Sequence, residues 1–203
     1  MVLLIFLFPA FIILLLFPNY LPRYFNVLTF GSLMTAYLVS RGMDFDTIGI
    51  WRGVSCVIGI CGTLGFHLSM TRRSLTETGM LSLVFQFSCL SLSFLSMFVE
   101  NRDLSFTMLI GGVCSSRMGL WSFDLAAKQL FQQYIPDDIR GVVGGVQDSL
   151  NALLGLGSFI LGLIYSDPND FGILMTVSFC NIGAATIIFF FGTYRRQDSI
   201  ELK

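Results

Sequence analysis

The sequence predicts an all-α membrane protein, a bundle of six helices. Three observations predict it. Hydrophobic residues fill 54% of the 203 positions and charged residues only 12%, against roughly 25% charged in soluble domains. Mean hydropathy is +0.76. The apolar residues come in long runs, and Lys and Arg gather in alternate loops between them. A formal net charge of −1 leaves no basic footprint for nucleic acid.

Taken in order, the elements begin with "MVLLIFLFPAFIILLLF", apolar from its second residue. It lacks the positive start and small-residue cleavage site of a secretory signal, so it is not expected to be removed. Residues 2–17 and 24–39 are each short for a span of about 20 residues. "PNYLPR", with two prolines, separates them. Such halves suit a discontinuous helix or a span with a re-entrant piece. The remaining helices are expected at about 47–70, 79–99, 106–132, 142–165 and 170–193, each bounded by polar punctuation such as "TRRSLTET", "IPDDIRG" and "SDPND". With 24–39 this gives six spans, or seven if 2–17 crosses separately. Residues 194–203 form a basic tail.

Short loops rich in Lys and Arg face the cytoplasm. Arg72, Arg73, Lys128, Arg140, Arg195, Arg196 and Lys203 fall on one side; Arg41 and Arg102 fall on the other, with Arg52 just inside. Both termini are therefore expected in the cytoplasm.

The fourth helix raises a question. "RMGLWSFDLAAKQL", 117–130, follows the apolar "SFTMLIGGVCSS" but carries Arg117, Asp124 and Lys128. At about 100° per residue these charges and Trp121 fall on one stripe. A charge at the bilayer centre costs about 2.5–3.5 kcal/mol even on a lenient scale. The stripe is therefore expected to face the bundle interior, water or a surface, with Lys128 and Asp124 towards the cytoplasmic mouth and Arg117 deeper. The next helix has a matching face of Gly141, Gly144, Gly145, Asp148, Asn151, Ala152 and Gly155, small residues that permit close approach and polar ones that need partners. Arg140 enters at the same end as Asp124, so the two are expected to pair. The arrangement suits either a structural salt-bridge network or a gate made in one conformation and broken in another.

"RMGLWSFDL", "QLFQQYIPDDIRGVVGGVQDSLNALL" and "DPNDFG" resemble the C-terminal half of the ferroportin family, the iron exporters of solute carrier family 40. The likeness continues upstream through "VLTFGSLMTAYL" and "GTLGFHLSMTRR", and covers residues 27–193. Residues 1–26 match poorly and stand as a divergent apolar segment. The resemblance implies one six-helix lobe of a major-facilitator-like transporter, rocking against an N-terminal six-helix lobe absent from this chain. It implies Fe²⁺ as cargo, no cofactor, the lipid bilayer as surroundings and the plasma membrane as location. It also implies that Arg117, Asp124, Lys128 and Arg140 lie where the cytoplasmic gate closes.

The chain departs from the family at the metal. The resemblance places a ligating cysteine at Ser32 and a ligating histidine at Ser158, with an acid at Gly155. Two hydroxyls suit a transition metal poorly, so no confident metal site remains. Loss of the cysteine also counts against a hepcidin-type hormone partner. Ser32, Asp148, Asn151 and Ser158 remain as a possible substrate path. The alternative is a truncated, non-transporting membrane protein acting as a partner or regulatory lobe.

Other candidates carry less. His67, the only histidine, is expected at an interface rather than on a metal. Cys56, Cys61, Cys89, Cys114 and Cys180 show no CxxC spacing and read as small membrane hydrophobes. An intramembrane protease would need HExxH, paired aspartates or a serine–histidine dyad. "GLGS" at 155–158 and His67 fall at opposite membrane sides, so no enzyme is expected.

Overall fold

A computed structural model describes residues 31–165, 167 and 170–201; the side chains of Ser32, Tyr134, Leu154, Ser158 and residues 192–201 are not described. The divergent segment 1–26 and the first part of the expected helix 24–39 lie outside the described residues. Six α-helices are present among them: α1 Ser32–Ser40, α2 Phe45–Met70, α3 Leu75–Leu95, α4 Arg102–Tyr134, α5 Asp137–Ile164 and α6 Phe171–Glu201. A single 3₁₀ turn, Ser96–Phe98, continues α3.

Local chemistry sets several ends. Gly31 is extended and caps α1, and the Thr35 hydroxyl donates to its carbonyl at 2.9 Å. The α1–α2 turn closes through Gly42 at φ +88, a conformation an L side chain resists. α3 starts at Leu75, four residues before hydropathy suggests. Ser74 and Glu77 form a reciprocal capping box there, which satisfies the first free N–H groups of the helix. Asn101 accepts from the N–H groups of Asp103 and Leu104, starting α4 at Arg102 instead of 106. α6 runs on to Glu201, through most of the expected tail.

α2, α3, α5 and α6 are each long and apolar enough to cross a membrane. α4 is diluted by Arg117, Asp124, Lys128 and its serines. At 33 residues it is about 50 Å long and exceeds the ~30 Å hydrocarbon core. The chain is a multi-pass membrane protein.

α4 is the central post, packed along α3 and α2, while α3 also packs on α6. One core cluster joins Met34 and Leu38 of α1, Leu90 of α3, Ile110 and Val113 of α4, and Leu174 and Ile182 of α6. A smaller one joins Leu83, Phe123 and Phe189. Helix contact is close because small residues line it. A Cβ on Gly119 would lie 2.6 Å from the Ser82 carbonyl, and one on Gly62 would lie 2.5 Å from the Met118 carbonyl. The Ser122 hydroxyl donates to the Gly62 carbonyl at 2.7 Å, and Ser93 to Leu109 at 3.1 Å. At one end Arg102 donates to the Arg41 carbonyl, and both guanidinium groups lie over the Phe106 ring. This ties the α1–α2 turn to the start of α4.

Candidate functional site

The seam with α3 fixes where the α4 charges point. Gly112 and Gly119 face α3. At about 100° per residue, Arg117, Trp121, Asp124 and Lys128 lie roughly 120–200° around the helix from them. The stripe therefore runs along the side of α4 turned away from α3. Trp121 borders the α2 contact, where a Cβ on Gly59 would meet its indole at 2.9 Å. Arg117 and Asp124 are half-buried, and each interacts with a neighbour. Lys128 is exposed.

Arg140 stands at the turn from α4 to α5. Its Nη2 donates to the Gln132 carbonyl at 2.9 Å and to the Ile135 carbonyl at 3.0 Å. It also pairs with Asp137 at 2.5 Å. The acid it takes is thus Asp137, one turn back on its own helix, and not Asp124. The physical reason is reach: the last carbonyls of α4 and the first-turn carboxylate lie beside it, and a guanidinium satisfies both at once. Its Nε is buried without a partner.

α5 sorts its residues by face. Val142, Val146, Leu153, Leu156, Ile160 and Leu163 are exposed along one apolar side, suited to lipid. A shallow groove lined by Val142, Gly145, Val146, Ser149, Leu150 and Leu153 runs along this side, with Gly145 at its border with the polar edge. The opposite side touches the lobe in a few places: Val143 is buried, a Cβ on Gly144 would lie 3.8 Å from the Phe131 ring of α4, and a Cβ on Gly162 would collide with Leu33 of α1. Between the two sides run Gly141, Asp148, Ala152 and Gly155. Asp148 is exposed. Asn151, one turn deeper, is 9% exposed, and its Oδ1 has no hydrogen-bond partner.

The structure thus joins Arg140 to the end of α4, and it leaves the Asn151 Oδ1 on α5 without a hydrogen-bond partner among the described residues. Ser32 and Ser158 keep their helical backbone positions, but their side chains lie outside the description. His67 is exposed near the end of α2. Among the described residues no group of three or more His, Cys, Asp or Glu could hold a metal ion.

One polar line was missed in the sequence. Thr78, Ser82, Gln86 and Ser93 are buried along α3, and Ser82, Gln86 and Ser93 meet the glycines of α4. Thr78 Oγ1 and Gln86 Oε1 have no partner. Spacings of four, four and seven residues in an apolar helix were the available signal.

A family model described as Ferroportin1 matches residues 20–182. Solute carrier family 40 member 1 of Arabidopsis thaliana is 41% identical over 177 residues, covering 87% of this chain and 34% of the relative. Ferroportin of Homo sapiens is 28% identical over 222 residues, covering 82% of this chain and 39% of the relative. A bacterial homologue of the iron transporter ferroportin, solved outward-facing, superposes with a TM-score of 0.79 at 26% identity, covering 90% of this chain and 45% of that one. Its inward-facing structure also gives 0.79, covering 91% and 45%. The chain therefore spans between about a third and a half of the proteins it is similar to.

Proposed function

The chain belongs to the ferroportin family, and from that premise we propose that it forms one lobe of an Fe²⁺ efflux transporter working by alternating access. The observation that carries this reading is the pair of polar edges, with Arg117, Asp124 and Lys128 on the side of α4 turned away from α3 and Asp148 exposed on α5. A second observation supports the rocking movement. The same lobe matches the outward-facing and inward-facing bacterial structures with equal TM-scores of 0.79. A lobe that keeps its shape while the access side changes moves as a rigid body.

In this reading Arg117, Asp124, Lys128 and Arg140 form the cytoplasmic gate. Arg140 rests on Asp137 and the α4 carbonyls in the present conformation, and it would exchange Asp137 for an acid of the complementary lobe when the gate closes. The complementary lobe is the N-terminal six-helix one, both termini are cytoplasmic, and the membrane is the plasma membrane. Ser32 and Ser158 supply hydroxyls where the family resemblance places a thiolate and an imidazole, so this lobe holds Fe²⁺ weakly and iron export depends on the other lobe's site. No cofactor and no hepcidin-type hormone enter the cycle.

The test is iron efflux from proteoliposomes containing this chain alone and together with a complementary lobe. Efflux is expected only with both. Absence of efflux with both, in membranes where the two lobes associate, would favour the second reading: a non-transporting partner or regulatory lobe.

A further inference from the structure

We propose that Arg102 is a positioning residue of the rocking lobe: it clamps the last turn of α1 to the start of α4, and through α1 it fixes the edge of the path. This rests on the transport reading above. α1 has nine residues, too few to hold a helix by its own hydrogen bonds. Met34 and Leu38 are fully buried on one side of it. Hydrophobic burial has no direction, so that contact resists lifting more than sliding or tilting. Ser32, which the family resemblance places on the path, is the first residue of α1. It lies about 13 Å along the axis from Arg41, and a tilt at one end displaces the other.

The clamp supplies the missing direction. A continuous line of contacts crosses this end of the lobe from α6 to α4 and passes through the last turn of α1. Phe171 of α6 stacks on Tyr37 of α1, with ring centroids 4.0 Å apart and planes 10° from parallel. The Arg41 guanidinium lies 5.8 Å from the Tyr37 ring centre and 6.0 Å from that of Phe106 on α4. The Arg102 guanidinium lies 5.6 Å from the same Phe106 ring centre, and its Nη2 donates to the Arg41 carbonyl. Arg41 is the C-cap of α1, where a cation suits both the terminal carbonyls and the helix dipole. A Cβ on Gly42 would lie 3.2 Å from the same Nη2, so this glycine makes room for the guanidinium as well as for the turn. A flat guanidinium stacks on a ring while donating from its rim, which an ammonium cannot do.

Hydrogen exchange on the full chain in nanodiscs tests the clamp, with Arg102→Gln and Phe106→Leu as the breaking variants and Phe106→Tyr as the conservative one. An exposed cation–π contact and a charge-assisted hydrogen bond together correspond to about a tenfold change in local opening. Exchange over residues 33–43 should rise by that factor in each breaking variant and stay at the parent level in Phe106→Tyr. The double variant should exchange no faster than the faster single one, because both substitutions break the same unit. Arg102→Lys should behave as Arg102→Gln. In the two-lobed protein, Arg102→Gln should slow the turnover of iron efflux at unchanged KM, since the clamp acts through α1. Unchanged exchange over 33–43 in Arg102→Gln overturns the clamp. So does a rise spread evenly over the six helices, which marks a general loss of stability. A raised KM at unchanged turnover would make Arg102 a cargo-binding group and overturn the positioning role. If the two-lobed parent moves no iron, the transport reading fails, and exchange in the single chain still decides whether the clamp exists.

Discussion

α4 and α5 follow one another in the chain, and both carry several glycines, yet Gly112 and Gly119 of α4 and Gly141, Gly145 and Gly155 of α5 are used in opposite ways, while Gly162 of α5 packs on Leu33 of α1. Gly112 and Gly119 of α4 let α3 approach so closely that an added Cβ would fall against backbone. Gly141, Gly145 and Gly155 of α5 face open space. A mid-helix glycine costs about 0.8–1.0 kcal/mol relative to alanine. On α4 that cost is offset by helix packing within the lobe. At these α5 positions the described residues supply no offset; in the proposed reading the benefit lies in what the complementary lobe brings to the edge. The first helix holds the lobe together; the second leaves part of its surface open among the described residues.

The largest expected effect probes the packed side of this contrast. Gly119→Val puts branched bulk where even a Cβ lies 2.6 Å from the Ser82 carbonyl and 2.9 Å from the Gln86 nitrogen. Overpacking of this kind costs about 1–3 kcal/mol and more when backbone must move. A lowered melting temperature in detergent, or failure to purify as a monodisperse species, is the expected outcome. Stability equal to the parent would mean that the α3–α4 seam is looser than its geometry.

This contrast was only half legible in the sequence. Hydropathy and loop charge locate the long helices because burial in lipid acts on each segment independently. The stripe of Arg117, Asp124 and Lys128 was legible because charge in an apolar run is costly and its helical spacing can be read directly. Which glycines touch a neighbour was not, since Gly119 against Ser82 and Gly62 against Met118 are relations between segments. The Arg140–Asp137 pair is local to "IPDDIR", whereas loop charge alone, which puts Asp124 and Arg140 at one membrane side, does not distinguish a neighbour on the same helix from a distant acid. The start of α3 was missed because hydropathy weighs side chains, and the capping box at Ser74 and Glu77 works through backbone N–H groups.

Arg140→Ala comes next in size. It removes two carbonyl acceptances and the pair to Asp137. Hydrogen bonds from a charged donor contribute about 1.5–3 kcal/mol when well shielded. Arg140 is 36% exposed, so a loss of about 1 kcal/mol is expected. Hydrogen exchange should show faster opening confined to the α4–α5 turn. Arg140→Lys should recover little, since one ammonium cannot hold both carbonyls and the carboxylate in the same geometry. Global destabilisation without local opening at the turn would contradict the capping role.

Ser74→Ala is smaller again and tests a helix end rather than a helix contact. It removes the hydroxyl that accepts from the Glu77 N–H at 3.3 Å. Loss of an N-cap costs about 0.5–2 kcal/mol. The long, exposed geometry puts the expected change at the low end, about 0.5 kcal/mol, read as a small drop in melting temperature. Ser74→Asp should restore stability, because a carboxylate caps equally well and suits the helix dipole.

The smallest expected change in stability is the sharpest test of the comparison. Gly145→Ala adds a methyl where nothing lies within 4 Å, and alanine is the better helix former. The chain alone should therefore be unchanged or up to about 1 kcal/mol more stable. Function should move the other way. If the α5 edge receives a close helix from the complementary lobe, the methyl stands in that contact, and efflux by the two-lobed protein should fall while melting of the isolated chain does not. The same substitution at Gly119 should damage both. Reduced stability in the isolated Gly145→Ala chain would show that α5 packs more tightly within the lobe than its open edge indicates. Full efflux in the two-lobed variant would show that nothing approaches Gly145 closely, and the glycines of α5 would then lose the role that distinguishes them from those of α4.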